Sequence, residues 1–113
     1  MPFIDAKISI PLNADTKEAL KTEFGKTMSL IGKSEAYLMV GIQDEYDLWM
    51  GGQKIDKGAY VSLSLFGNAS PESCKKVTAA VCSILSEKLS IPGDKVYVTY
   101  HPIADWGWNG TNF

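Results

Sequence analysis

The second residue, Pro2, follows an initiator methionine and precedes Phe3-Ile4. Methionine is usually trimmed when a small residue comes next, and proline qualifies. Trimming would leave Pro2 with a free secondary amine, which has both a proton to give and a basic lone pair. An internal proline has neither. An α-amino group titrates at about 7.7–8.0, and burial disfavours its charged form. In an apolar cleft beside another cation, such an amine is a general base usable at neutral pH. The plainer reading is that Pro2 occupies the first position of a strand, which suits proline.

Other reactive types offer less. Asp44, Glu45 and Asp47 form an acidic turn. A calcium site, however, needs six or more oxygen ligands in a defined loop, so a solvated turn and no metal are expected. Cys74 and Cys82 fall eight residues apart in a predicted helix. That separation is ~12 Å of rise, beyond the reach of a disulfide, so both should be free thiols, buried or half-buried. His101, the single histidine, sits beside Pro102 and reads as a loop residue.

The elements that must position Pro2 are legible from periodicity. Phe3 to Ile10 alternates, with Ile4, Ala6, Ile8 and Ile10 on one face, the pattern of a strand. Asn13 or Asp15 can cap a helix whose apolar stripe runs Leu20, Phe24, Met28, Ile31. Gly32 stands where a left-handed terminator belongs. Ala36 to Ile42 is continuously apolar, which predicts a strand buried on both faces.

The order then repeats. Ala59 to Phe66 alternates, Ser70 can cap, and Pro71 takes the first helical position. Cys74, Val77, Val81 and Ile84 or Leu85 keep the helical period, and Lys95 to Tyr100 is a Val- and Tyr-rich strand. One domain over residues 1–113 is expected, with pseudo-repeats at about 1–50 and 58–103. Two β-α-β units make a two-layer α/β sandwich of four strands and two helices. The tail carries Trp106, Trp108 and Phe113, too much apolar surface to leave in water. It must fold back on its own domain or pack on another subunit.

Composition narrows the partners. The chain is 45% hydrophobic and 21% charged with a net charge of −2, as in ordinary soluble proteins. All 11 basic residues are lysine. Without arginine, the commonest device of specific nucleic-acid recognition is missing. No polybasic run, spanning segment or signal peptide is legible. The expected location is the cytoplasm, or outside the cell by a route without a signal peptide.

Taken together, these motifs resemble the family of macrophage migration inhibitory factor and D-dopachrome tautomerase. The resemblance covers the entire chain. It rests on Met1-Pro2, Gly32-Lys33, Ala36-Tyr37, Gly51-Gly52, Leu65-Phe66-Gly67, Lys95-Val96-Tyr97 and the ending Gly107-Trp108-Asn109-Gly110-Thr111-Asn112-Phe113. It implies a homotrimer whose edge strands extend neighbouring sheets, with three pockets at subunit boundaries. It also implies phenylpyruvate-type keto–enol tautomerase activity, possible weak action on dopachrome, and no cofactor. By matching position, Pro2 would be the acid/base and Lys33 would bind the carboxylate of a small aromatic α-keto acid. The Phe66 N–H would be a further donor. Tyr97 and Trp108 from the neighbouring subunit would wall the ring.

Three departures from the family pattern bear on substrate preference. Phe66 and Trp106 stand where the mammalian cytokine has isoleucine and valine, which adds bulk near the mouth. Thr99 stands where an asparagine contacts a phenol hydroxyl, and it reaches less far. The vertebrate Cys-x-x-Cys falls on Gly58 and Val61, so thiol–disulfide chemistry is not expected. The resemblance implies a second class of function as well: a ligand for a cell-surface receptor, with the pocket a remnant.

Overall fold

The computed structural model describes residues 2–113. The expected removal of Met1 concerns a residue outside them. Two β-α-β units dominate the chain. The first runs β1 (Pro2–Ile8), α1 (Ala14–Lys26) and β2 (Met39–Gln43). A short hairpin follows, β3 (Trp49–Met50) with β4 (Gln53–Lys54). The second unit is β5 (Ala59–Phe66), α2 (Pro71–Leu89) and β6 (Val96–Ile103), and a tail hairpin of β7 (Gly107–Trp108) and β8 (Thr111–Asn112) ends the chain.

The sheet order is β2-β1-β5-β6. β1 and β5 are antiparallel at the centre, and each carries its own unit's second strand in parallel on its outer side. Alternation does the sorting. Ile4, Ala6 and Ile8 of β1 and Ala59, Val61, Leu63 and Leu65 of β5 are buried on one face. Leu20, Phe24 and Met28 come down on that face from the first helical segment, and Val77, Val81 and Leu85 from α2. Full burial of each large side chain is worth about 1.5–3 kcal/mol.

The caps fall where the residues predict. Asn13 accepts a hydrogen bond from the Thr16 N–H at 2.8 Å, so Asn13 rather than Asp15 is the cap. Ser70 accepts from the Ser73 N–H, and Pro71 opens α2. The first helix tightens into a 3-10 turn over Thr27–Ile31 before Gly32 ends it at φ 66°. Cys74 and Cys82 are free and half-buried.

Four expectations need correction. β1 stops at Ile8 rather than Ile10, because Ser9 is drawn sideways: its hydroxyl donates to the Asp56 carbonyl and accepts from the Gly58 N–H. The run from Ala36 is not a doubly buried strand. Its first residues turn, with the Ala36 N–H on the Ser34 hydroxyl and the Leu38 N–H on the Glu35 carbonyl. Only Met39–Gln43 pairs, at the sheet edge, and Met39 is 68% exposed. The last strand begins at Val96 and runs on to Ile103, so His101 and Pro102 are strand residues, not loop. β6 is an edge strand, where proline costs no ladder bond.

Candidate active site

Pairing directions explain where the site lies. β1 begins where the antiparallel β5 ends, while β2 begins beside the start of β1 and β6 ends beside the end of β5. Four strand ends therefore meet at Pro2. A cavity of about 530 Å³ opens there. Pro2 is buried at its edge, paired across to Leu65. Phe3, Met39, Ser64 and Ile103 line the cavity from register positions that face away from the helices.

The tail makes the remaining wall. It leaves β6 at this end, so Asp105, Trp106, Gly107 and Trp108 border the cavity directly. Asn109 and Gly110 both have positive φ, 51° and 80°, which closes the tight β7–β8 turn. The Phe113 N–H then returns to the Trp106 carbonyl at 3.0 Å. An aromatic chain fixes the hairpin. Tyr37 meets Trp108 edge-on at 5.8 Å, Trp108 stacks on Phe113 at 5.9 Å, and Phe113 tilts against Phe66 at 5.8 Å. Such pairs add about 0.5–1.5 kcal/mol each beyond the area they bury. Within one chain the tail folds back on its own domain and leaves Trp108 and Phe113 each 50% exposed.

The sequence-derived residues fall into two groups. Pro2, Trp106 and Trp108 line one cavity. Trp108 was expected from a neighbouring subunit, and here it borders the Pro2 cavity of its own chain. Phe66 ends β5 and buttresses the wall through Phe113. Lys33 is half-buried beside it, with Nζ donating to the Phe66 carbonyl at 3.2 Å. The Lys33 backbone N–H donates to the Met28 carbonyl, and the Lys33 side chain does not line the cavity in this conformation.

Tyr97 and Thr99 stand apart. Val96 and Val98 pair with the inward-facing Ala59 and Val61, which turns Tyr97 and Thr99 to the helix-free face nearer the far end of the sheet. Thr99 shares hydrogen bonds with the Tyr60 hydroxyl at 2.8 Å and His101 Nε2 at 2.9 Å. Tyr97 is 65% exposed. Within one chain neither reaches Pro2.

Sequence reasoning passed over Phe3, Met39, Ser64, Ile103 and Asp105 as site residues. Phe3 and Ser64 carried a signal as the outward positions of alternating strands, whereas Met39 lay in a run read as apolar throughout and Ile103 lay beyond the expected end of the last strand. Asp105 carried none beyond standing next to Trp106.

The acidic turn is accounted for within the fold. Asp44 accepts from the Leu12 N–H at 2.8 Å and pairs with Lys17 at 3.1 Å. The Leu12 hydrogen bond first, and Lys17 second, hold its carboxyl below the usual range. Gly58 is held open by packing: a Cβ there would meet Ile55 at 2.5 Å and the Lys95 carbonyl at 2.9 Å.

A family model described as macrophage migration inhibitory factor matches residues 1–113. The chain belongs to that family. Among curated relatives, macrophage migration inhibitory factor of Xenopus laevis is 32% identical over 84 residues, 73% of this chain and 72% of the relative. Among solved structures, Leishmania major MIF2 superposes with a TM-score of 0.92 at 28% identity, covering 100% of this chain and 97% of its own. The macrophage migration inhibitory factor homologue from Prochlorococcus marinus gives 0.87 at 28% identity, covering 98% of each chain. The family's fold, two helices on a four-stranded mixed sheet, is the one described above.

Proposed function

We propose that this protein is a phenylpyruvate-type keto–enol tautomerase in which the amine of Pro2, freed by removal of Met1, moves the proton. The observation that carries the reading is the placement of Pro2 at the edge of an apolar, tryptophan-walled cavity where four strand ends meet. The enol form gives up its hydroxyl proton while the side-chain carbon next to the ketone gains one. A single amine that is neutral at rest can accept the first and deliver the second. Trp106 and Trp108 offer the slot for the aromatic ring. Lys33 would leave the Phe66 carbonyl and take the substrate carboxylate, a charge-assisted exchange favoured by its planar acceptor.

The reading includes a homotrimer. β2 and β6 are open edges, and sheets with open edges need covering. Met39 on β2 and Tyr97 on β6 are both more than half exposed, as strands awaiting a partner would be. In a closed ring, Tyr97 and Thr99 of one subunit can reach the Pro2 cavity of the next. Three 12.4 kDa chains give about 37 kDa for a C3 ring. Light scattering should find that mass at micromolar concentration, and a monomer would remove the shared pocket from the account. The activity is tested by following phenylpyruvate ketonisation by absorbance with protein whose mass shows Pro2 as first residue.

A further inference from the structure

Among the described residues lining the Pro2 cavity, Asp105 is the one charged side chain. It is exposed, in the segment between β6 and β7. The ion pairs found among the described residues use Asp5, Glu18, Glu23, Asp44 and Asp47, and none neutralises it. The same lining contains no lysine, and Lys33 is held at the Phe66 carbonyl. A substrate with one carboxylate can turn that group toward Lys33 and keep its ring among Trp106, Trp108 and Ile103. A substrate with a second anion on the ring must bring it into the same cavity as Asp105.

We propose that Asp105 is a specificity-determining residue that disfavours doubly anionic ligands and biases the site toward aryl carboxylate monoanions. This rests on the tautomerase reading and refines its substrate class. Two like charges about 8 Å apart at an effective dielectric constant of about 40 repel enough to change affinity about fivefold. The effect is long-ranged, so it survives where no contact forms. It weakens as salt shortens the screening length from about 10 Å at 0.1 M to about 3 Å at 1 M.

The test uses two probes with no keto group, so that binding is read without turnover: phenylpropanoate and its para-carboxy analogue. Calorimetry on the full chain gives the ratio of their dissociation constants at low and high salt. Asp105→Asn should shift that ratio about fivefold toward the dianion, and Asp105→Ser should do the same although its shape differs. Asp105→Glu should keep the wild-type ratio. High salt should shift the wild type as Asp105→Asn does and leave Asp105→Asn nearly unchanged. A ratio unmoved by Asp105→Asn and Asp105→Ser, in protein that turns over phenylpyruvate, overturns the inference alone. If the wild type neither binds phenylpropanoate nor turns over phenylpyruvate, the tautomerase reading falls and takes this inference with it.

Discussion

Each end of the central sheet gathers four strand ends, and the two ends are furnished in opposite ways. At one end β1 and β2 begin and β5 and β6 finish, and the tail lays Trp106 and Trp108 over the opening. At the other, β5 and β6 begin, and the smaller crevice there is bordered by Lys54, Asp56, Lys57 and Lys95. Lys54 there pairs with Asp47 at 3.2 Å. The repeat leaves a crevice at each end of the sheet. Pro2, which starts β1, borders one, whereas Ala59, which starts β5, does not border the other, and the tail reaches only the Pro2 end. An apolar, aromatic-walled setting favours the neutral form of a free amine, and only the Pro2 end offers one.

The largest effect should follow from altering the base itself. Pro2→Gly leaves a primary amine without the ring that fixes φ. Turnover of phenylpyruvate should fall about a hundredfold, within the range general acid–base groups supply. By contrast, Lys57→Ala at the charged end should leave kcat/KM within about twofold, as surface changes usually do.

Next comes the substrate's anchor. Lys33→Ala should raise KM by about tenfold or more, the worth of a charge-assisted hydrogen bond, while Lys33→Arg keeps most of the affinity. Steady-state kinetics showing an unchanged KM in Lys33→Ala would move the carboxylate site elsewhere.

A smaller difference should separate substrates. Phenol-bearing substrates should be turned over up to about tenfold less well than phenylpyruvate, because Thr99 reaches less far and Phe66 and Trp106 crowd the mouth. Equal rates would count against that view of the pocket.

The smallest effect belongs to the charged end and concerns stability. The Asp44 carboxyl titrates below its ordinary value in the fold, chiefly through the Leu12 N–H. Its contribution is therefore present above the unfolded value of about 3.9 and is lost as pH falls through the lower folded one. Thermal unfolding between pH 6 and pH 3 should show a shallower acid decline in Asp44→Asn than in the wild type. Tyr100 has the opposite sign. Burial raises its pKa, so its contribution holds below about pH 10 and is lost as pH climbs through the raised value.

The sequence announces the repeat because each half states its periods plainly: Ile4-Ala6-Ile8 and Val61-Leu63-Leu65 alternate, and Leu20-Phe24-Met28 follows a helix. Ala36 to Ile42 misleads for a physical reason. A continuous apolar run fits a strand buried on both faces, and it fits equally a turn and an edge strand left for a neighbour to cover. His101 misleads because proline beside it suggests a loop, yet an edge strand tolerates proline without loss of a ladder bond. The cavity was half legible. Pro2, Trp106 and Trp108 announce themselves by type, whereas Phe3, Met39 and Ser64 join only through cross-strand register, which depends on the distant pairings Phe3–Met39 and Phe3–Ser64. Asp105 becomes visible only once the tail's path is known.

The central claim is that the proton-carrying base is the nitrogen of Pro2, and it stands or falls on whether that nitrogen is an amine or an amide. Trimmed protein and protein that retains Met1, each verified by intact mass, should be compared for phenylpyruvate ketonisation at the same concentration near pH 7. An amide has no basic lone pair, so the retained form should lose turnover by two or more orders of magnitude, about the contribution of a positioned general base. Its fold and oligomer mass should be unchanged. Equal activity in the two forms would place the base elsewhere and contradict the account.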